Sequence, residues 1–357
     1  MDFSEISNIR LASQHLTERK YTSLKEIADY MGAMQAQDYP MVKWAVGQRL
    51  SCISDKQVDS AINSAEIIRT HVLRPTWHII SPDDIYWMLD LTAPHIKSST
   101  QSRHKELKLN EKNLSKIFKL IEKTLRDKNH LTREELYSIF HQAKIYTNDN
   151  RGAHILMSAE LAGIICSGQI KNKKQTFALL NERVVRKKYL TRDEAIEKLA
   201  RKYFTSHAPA TLNDFIWWSG LPVKDARKSF EMLENEFVQE TINDTIYLIP
   251  NSLLSTPKMN SVLLLPAYDE FLISYTNRSA SIVFEDRKKA ISNNGIFRPT
   301  IAINGKISGI WKRTTKKDKV VIEIEPFKKL NKTQIQSIEK EVERLEVFWD
   351  KQTVLKF

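Results

Sequence analysis

The sequence is poor in cysteine and glycine. Its 357 residues contain two cysteines, Cys52 and Cys166, which lie far apart and have no second ligand pair at zinc-site spacing. We therefore expect no disulfide framework and no metal, and we expect both cysteines to be small buried side chains. Among its nine glycines there is no glycine-rich phosphate loop. This absence argues against a nucleotide cofactor.

Long apolar runs and other enzyme signatures are missing as well. The amino-terminal residues have no basic segment followed by an apolar stretch, and no apolar run is long enough to span a bilayer. We therefore expect a cytoplasmic protein without a membrane partner. The absence of His-Glu-x-x-His and Gly-x-Ser-x-Gly removes two further common enzyme motifs and argues against zinc chemistry.

The chain has an excess of positive charge. Lysine and arginine number 55 against 43 acidic residues, which gives a net charge of +12. This excess favours a polyanionic partner, because each neutralised phosphate releases condensed counterions. The hydrophobic content of 41% allows a sizeable core, and the length suggests two or three domains.

Helical periodicity dominates the chain up to about residue 240. One buried helix face is marked by Leu114, Ile117, Phe118, Ile121 and Leu125. Thr132 and Glu135 have the spacing of a capping box and predict the start of the next helix. HILMSAELAGIICSGQI is then expected to be helical, and QTFALL to form a strand. Helix, loop, helix and short strand are the order expected of a winged helix.

The same order of elements recurs twice. Near the amino terminus, Ser23 predicts the start of a helix, QAQDYP a loop, 41–50 the next helix and RPTWHII the wing strand. Farther along, we expect helices over 191–203, 210–218 and 224–237, followed by the strand TIYLI. We therefore predict a mainly α protein with β structure (α+β), in which tandem winged-helix units cover residues 1–105, 106–190 and 191–257.

Residues 258–357 are predicted to form a β-rich unit. SVLLLPAY has the composition of a buried strand, and TIAINGKISGIW is typical of a hairpin in which Asn304 and Gly305 form a type I′ turn. KVVIEIE alternates apolar and acidic residues, as expected of a strand with one exposed face. We expect a final helix over about residues 331 to 347.

The most unusual local feature is Gln35-Ala36-Gln37, between two predicted helices. Residues i and i+2 point to nearly opposite sides of a helix but to one side of an extended segment. The two amides can therefore act on one ligand if this segment leaves the helix. Pro40 favours that geometry, because it suits the first turn of the following helix. The alternative is two surface glutamines that satisfy nearby backbone groups.

Several segments resemble one known family. MGAMQAQDYPMVKWAVGQRL resembles the amino-terminal region of the winged-helix DNA glycosylases of the AlkZ and YcaQ type, which carry a Gln-x-Gln or Gln-x-Asp motif. LRPTWHII, HAPATLNDFIWWSGLPVKDAR, LLPAYDEFLISYTNRS and FRPTIAINGKISGIWKR are similar to further blocks of that family. Ala208 stands where the family pattern has glycine. The likeness extends from about residue 8 to about residue 350.

The resemblance implies a monofunctional glycosylase that hydrolyses the N-glycosidic bond of alkylated purines in double-stranded DNA. Bulky N7-alkylguanine adducts and interstrand crosslinks would be included. It also implies that Gln35 and Gln37 hold the attacking water, with no cofactor. A glutamine amide orients water but does not deprotonate it. We therefore expect cationic lesions, whose leaving group is already activated, to react better than neutral ones such as uracil.

Other residues have weaker assignments. His78 and Thr76 are candidates for the wall of the same cavity, although a lone histidine is more often structural. The DNA-binding candidates are Arg69, Arg74, Lys312, Arg313, Lys316 and Lys317, the last four expected at a turn between strands. Asp269 is expected to pair with a base such as Arg278. Of Trp217 and Trp218, at least one is expected to pack in the core.

The sequence leaves two alternatives beside the glycosylase. One is a winged-helix DNA-binding regulator without catalysis, which would need a means of dimerising, and no heptad repeat is visible. The other is a protein that uses the fold for protein contacts alone. We expect a monomer that binds duplex DNA.

Overall fold

The computed structural model describes residues 1–187, 189–233, 235–254 and 260–357. The first helix, α1 (Phe3–Ser13), precedes a unit that carries the glutamine motif. That unit consists of α2 (Leu24–Met31), β1 (Ala33–Gln35), α3 (Tyr39–Gly47), α4 (Asp55–Asn63), β2 (Ile68–His71) and β3 (Trp77–Ile80). Its strands form an antiparallel sheet in the order β1-β3-β2, so β1 is an edge strand. The linking helices α5 (Ile85–Ser99) and α6 (Gln101–Glu106) follow.

A second unit repeats this order of elements. It contains α7 (Glu111–Leu125), β4 (Leu131–Thr132), α8 (Arg133–Gln142), α9 (Arg151–Leu161), β5 (Ile165–Ser167), β6 (Thr176–Leu179) and α10 (Leu180–Arg183). Its sheet has the order β4-β6-β5, which is the same as in the first unit. The predicted capping box at the start of α8 is present. The helix expected over HILMSAELAGIICSGQI is too long, because it ends at Leu161 and the chain then enters β5.

A third unit has the same arrangement in reduced form. Its elements are α11 (Arg192–Ser206), α12 (Leu212–Ser219), α13 (Val223–Leu233), β7 (Val238–Ile242) and β8 (Thr245–Ile249). An isolated bridge between Ala210 and Leu248 takes the place of the first strand. In each of the three units a helix, a short extended segment, two helices and a hairpin follow in turn. The winged-helix prediction depends on a shorter order, helix, loop, helix and short strand, which is contained in this one.

The carboxy-terminal unit is built on a sheet. After a 3-10 turn (Asn251–Leu253), it contains β9 (Val262–Leu265), α14 (Glu270–Ile273), a 3-10 turn (Phe284–Asp286), α15 (Arg287–Ala290), β10 (Thr300–Ile303), β11 (Lys306–Thr315), β12 (Lys319–Pro326), α16 (Lys332–Trp349) and β13 (Gln352–Lys356). The sheet order is β13-β12-β11-β10-β9, with β13 parallel to β12. The predicted domain boundary at residue 258 lies outside the described residues.

The glutamine motif lies where three parts of the chain meet. Successive residues of β1 point to opposite faces of the sheet. Ala33 packs in one core with Tyr203 and Trp218 of the third unit. Met34 packs in another core with Leu264 and Trp311 of the carboxy-terminal sheet. Burial on both faces fixes the register of this edge strand, because a slip of one residue would exchange the two sets of contacts.

Among the described residues, none forms a helix with the length and apolar character that a bilayer crossing needs.

Candidate active site

The Gln-x-Gln segment is extended at Gln35, where β1 ends, and Gln37 lies in a bend just before α3. Helix α2 ends at Gly32, and the chain enters β1, where Gln35 pairs with His78 of β3. The side chain of Asp38 accepts a hydrogen bond from the Met41 amide and thereby caps α3. The motif therefore lies between the end of one helix and the capped start of the next, on a strand edge.

The two glutamines have different surroundings. Gln35 is 7% exposed, and its amide Oε1 accepts a hydrogen bond of 2.8 Å from Nη2 of Arg74. A guanidinium group only donates hydrogen bonds, so the oxygen of the amide must face Arg74 and the Nε2 donor must face away from it. Gln37 is exposed, and its side chain makes no hydrogen bond to any described residue. One amide is thus held in a single orientation, whereas the other is free to meet a ligand.

The backbone of the motif is held as firmly as the Gln35 side chain. The Gln35 N–H donates to Oε1 of Glu270 at 2.6 Å. The carbonyl of Ala36 accepts two hydrogen bonds from Arg69, at 3.1 Å from Nε and 2.9 Å from Nη2. These contacts join β1 to both β2 and the carboxy-terminal unit.

The placement of Arg69 corrects our expectation of a phosphate contact. Its side chain is 9% exposed, and its guanidinium group lies 4.4 Å from the centre of the Trp77 ring. A buried guanidinium whose donors already meet protein groups is poorly placed to meet DNA. Arg74 is also partly buried, and its Nη2 donates a hydrogen bond to Gln35. The sequence placed both arginines near the motif but did not show that they support it.

Gly220 allows Arg74 to reach the motif. It ends α12 with a φ of +65°, and a Cβ at this position would lie 2.9 Å from the carbonyl oxygen of Leu73 and 3.2 Å from Cγ of Arg74. A side chain would therefore push the Leu73–Arg74 segment away from α12. The close approach of these two segments brings the third unit to the edge of the site.

Unpaired polar atoms surround Gln35. His78 is 1% exposed, and neither ring nitrogen has a hydrogen-bond partner among the described residues. The buried hydroxyl groups of Thr70 and Thr76 are also unpaired within the same part of the chain. Because buried polar groups are nearly always hydrogen-bonded in native proteins, such a cluster is unusual and typical of a functional site. His78 and Thr76, expected in the cavity, do lie on the strand and turn beside the motif.

The buried titratable groups have settled charge states near neutral pH. Burial lowers the pKa of His78 to about 3, and the nearby charge of Arg74 acts in the same direction. Burial raises the pKa of the Glu270 carboxyl, but the nearby His207 ring and the hydrogen bonds that the carboxylate accepts from Ser274 and the Gln35 amide lower it to about 2 overall. His78 is therefore neutral and Glu270 is negatively charged at the pH of a cell.

Trp217 and Trp218 have separate roles. Trp218 is 1% exposed and packs in the core, as expected for one of the pair, while Trp217 is 43% exposed. The indole of Trp217 is fixed by a hydrogen bond from Nε1 to the carbonyl of Ile273. The guanidinium carbons of Arg74 and Arg278 lie 5.8 Å and 5.6 Å from its ring centre. A partly exposed aromatic ring flanked by cations therefore borders the site.

Asp269 and Glu270, which follow each other in sequence, have different partners. Asp269 forms a buried ion pair with Arg49, at 2.9 Å from Nη1 to Oδ2. The prediction of a base partner is therefore correct in kind, but the suggested partner, Arg278, is wrong. Glu270 turns to Gln35 instead. The sequence did not indicate the contact between Glu270 and Gln35.

The basic residues near the carboxy-terminal hairpin are not all in its turn. Lys316 and Lys317 are exposed between β11 and β12, whereas Lys312 and Arg313 lie on β11 itself. This corrects the expectation of a single basic turn. Arg313 lies 5.3 Å from the Trp349 ring centre, and burial lowers its pKa while the Asp38 carboxylate acts in the opposite direction. Arg313 of the hairpin is therefore close enough to Asp38, the residue that follows Gln37, for their charges to interact.

Cys52 also departs from expectation. It is exposed, whereas Cys166 is buried as predicted. Cys52 follows the end of α3 and has a φ of 56°, so it lies in a turn rather than on an apolar helix face.

Comparison with known proteins identifies the class. A solved structure of the DNA glycosylase AlkZ from Streptomyces sahachiroi has the same fold, with a TM-score of 0.82, 19% sequence identity and coverage of 99% of each chain. The chain is also 20% identical over 347 residues to an interstrand DNA cross-link repair glycosylase of Streptomyces sahachiroi. The matched region covers 93% of this chain and 92% of the relative. Fold and sequence thus define a DNA glycosylase. The chain belongs to the AlkZ-like family of DNA glycosylases, whose model matches residues 28–348.

Membership confirms the resemblance seen in the sequence. It also confirms the mixed helical and β fold and DNA as the substrate. The roles of individual residues and the identity of the lesion are treated as proposals below.

Proposed function

We propose that this protein removes cationic N7-alkyl purines from double-stranded DNA by hydrolysis, with Gln35 and Gln37 orienting the attacking water. The observation that carries the proposal is the fixed amide of Gln35 beside a cluster of unpaired polar atoms. Arg74 turns the amide oxygen toward itself, so the Nε2 donor of Gln35 is available to hold a water molecule. Gln37, exposed in the bend that follows β1, adds a second amide.

The chemistry of this site suits a leaving group that is already activated. Glu270, whose carboxylate contacts the Gln35 main chain, is 2% exposed and accepts hydrogen bonds from Gln35 and Ser274, so it is not placed to deprotonate water. An amide contributes orientation instead of basicity. N7-alkylation places positive charge on the purine, which weakens its bond to the sugar, and a positioned weak nucleophile is then sufficient. Water is the only co-reactant that this reaction needs.

Bulky and crosslinked lesions fit the same proposal. The relative in Streptomyces sahachiroi is named for repair of interstrand DNA cross-links. Gln37 is exposed, and the indole of Trp217, which lies near Arg74, is 43% exposed, so Gln37 is reached from the surface of the protein. We propose that the three helical units act as winged helices along the duplex and present a large adduct to this surface.

The direct test is excision of N7-methylguanine from a duplex oligonucleotide, detected as alkali-labile abasic sites. We expect product from N7-methylguanine and none from a matched duplex that contains uracil. A charge-neutral adduct of similar size provides a second control for the leaving group. Equal cleavage of uracil and N7-methylguanine would contradict the proposed reliance on a cationic base, because a neutral base needs further activation.

The basic hairpin is proposed as a phosphate contact. Replacing Lys316 and Lys317 by alanine is expected to weaken duplex binding about tenfold and to reduce the slope of log K against log salt by about two, because each lost phosphate contact changes the slope by about 0.9. The single-turnover rate at saturating protein should change little. The measurement is fluorescence anisotropy at several salt concentrations.

Lys328 and Lys329 provide a matched control for the hairpin. They are exposed in the same unit, outside the hairpin, and their replacement by alanine makes the same change in charge. An equal loss of affinity in both double variants would show that net charge alone is responsible and would contradict a local contact.

The excision rate is expected to be independent of pH. The pKa of His78 is about 3 and the pKa of Glu270 is about 2. Neither His78 nor Glu270 changes charge over the assay range, so the single-turnover rate should vary by less than about twofold from about pH 5.5 to about pH 8.5. A tenfold change per pH unit within that range would contradict the proposed mechanism without a general base.

Stability should nevertheless fall with acid. Because the pKa of His78 is lower in the folded state than in the unfolded chain, the unfolded state takes up the proton first as the pH falls below about 6.5. The contribution of neutral His78 to the free energy of unfolding is therefore fully present above that pH and is lost as the pH falls toward 3. Circular dichroism melts at each assay pH separate this loss of folded protein from a change in rate.

A further inference from the structure

Glu270 lies on a segment whose position is fixed by its neighbours. It is the first residue of α14, which follows β9 of the carboxy-terminal sheet. The preceding residue, Asp269, caps this helix by accepting a hydrogen bond from the Phe271 amide and is paired with Arg49. The backbone that carries Glu270 is therefore held by contacts of Asp269 that do not involve the glutamine motif.

The Glu270 carboxylate meets Gln35 at a free strand edge. The N–H of Ala36 donates to the Trp77 carbonyl in β3, so the N–H of Gln35 faces outward from the sheet. An outward amide at a buried edge needs a partner. Oε1 of Glu270 provides it at 2.6 Å, from a residue 235 positions away in sequence.

The remaining contacts fix the direction of that carboxylate. Its Oε2 accepts a hydrogen bond from the Ser274 hydroxyl and lies 3.6 Å from Nε2 of His207. The side chain is 2% exposed, so water does not compete for these contacts. Burial lowers the pKa of Arg74, and the charge of Glu270 acts against this change.

We propose that Glu270 is a positioning residue for base excision. It holds the Gln35 main chain by its own hydrogen bond and thereby keeps the Gln35 side chain where Arg74 donates to it. This inference rests on the proposed function of Gln35. It gives Glu270 no contact with substrate and no proton transfer, because both oxygens already meet protein groups. A displacement of about 1 Å at a reacting group is enough to cost about 100-fold in rate.

Two substitutions separate the hydrogen bond from the charge. Glu270→Gln keeps an oxygen for the Gln35 N–H but removes the negative charge, whereas Glu270→Ala removes both. We expect the single-turnover excision rate on N7-methylguanine duplex to fall about 100-fold in Glu270→Ala and about tenfold in Glu270→Gln. Affinity for undamaged duplex should stay within about twofold, because Glu270 is buried. Glu285→Ala removes an exposed carboxylate of the same unit and is the matched control.

The double variant Gln35→Ala, Glu270→Ala tests whether Glu270 acts through Gln35. If it does, the double variant is no slower than Gln35→Ala alone by more than about twofold, since residues that act as one unit are not additive. Two independent losses that multiply would overturn the proposal. An unchanged rate in Glu270→Ala, with Gln35→Ala inactive, would overturn it as well.

Hydrogen exchange tests the positioning without any reaction. In the free protein, the peptide that contains Gln35 should exchange faster in Glu270→Ala than in the wild type, with Glu270→Gln close to the wild type. Equal protection in all three would overturn the proposal even if excision is observed. If the wild type excises no N7-methylguanine, the proposed function fails, and the exchange result still decides whether Glu270 holds Gln35. Glu270→Gln, which is nearly isosteric, serves where Glu270→Ala does not fold.

Discussion

Excision of N7-methylguanine is expected to fall at least about 100-fold when Gln35 and Gln37 are both replaced by alanine, since positioned groups at a reacting centre contribute this much or more. The amide of Gln35 is 7% exposed and is held by Arg74, so its loss removes a donor that is already oriented before substrate arrives. The measurement is the single-turnover rate, with product counted as alkali-labile sites. Duplex binding should remain, because neither amide is a cation that neutralises phosphate.

The single variants should not be equal. Gln35→Ala is expected to have the larger effect, because Gln35 is fixed by contacts to both its main chain and its side chain, whereas Gln37 is exposed. Gln142→Ala, an exposed glutamine at the end of α8, is the matched control. A double variant that keeps more than about half of the wild-type rate would contradict the assignment of these residues to the reaction.

Part of the local geometry of the motif was predictable because it depends on nearby residues. Gln35 and Gln37 share one side of the chain only if the segment is extended, and Pro40 favours a helix start just after it. The structure has β1 as far as Gln35 and α3 from Tyr39, with Gln37 in the bend between them. The turn at Asn304 and Gly305 was predictable for the same reason, and both residues have positive φ, at 49° and 74°.

The supporting contacts were not predictable from the sequence. Glu270 reaches Gln35 across 235 residues, and Asp269 reaches Arg49 across 220. No short pattern specifies which of many bases pairs with a given carboxylate. Arg69 and Arg74 illustrate the same limit, because positive charge near a proposed site suggested DNA contact, whereas both guanidinium groups donate to the motif itself.

The secondary structure that sequence analysis missed has a similar origin. Helix α4 (Asp55–Asn63) is short and largely polar, and it is buried through Val58, Ala61 and Ile62. β13 (Gln352–Lys356) is a strand because it pairs with β12, which precedes it by a whole helix. Tertiary packing decided both, and local propensity was too weak to predict either.

Asp269→Ala is expected to lower the free energy of unfolding by about 3 to about 5 kcal/mol, because it leaves a buried guanidinium without its counter-ion. Arg49 is 0% exposed, and its Nη1 and Nη2 lie 2.9 Å and 3.0 Å from the two oxygens of Asp269. The measurement is urea denaturation followed by circular dichroism. Glu106→Ala is the control, because it breaks an exposed ion pair with Arg103. Its cost should be below about 1 kcal/mol.

Replacing both partners tests the cause of that loss. In Arg49→Met, Asp269→Leu, no charge remains buried at the pair, so the variant should recover much of the stability that Asp269→Ala loses. Gln14 and Gln48 also contact this pair and would lose a partner, so recovery should be incomplete. If Asp269→Ala and the double variant are equally unstable, packing rather than the uncompensated charge accounts for the loss. Because Asp269 also caps the helix that begins with Glu270, a stable double variant with slow excision would show that this ion pair holds the segment that positions Gln35.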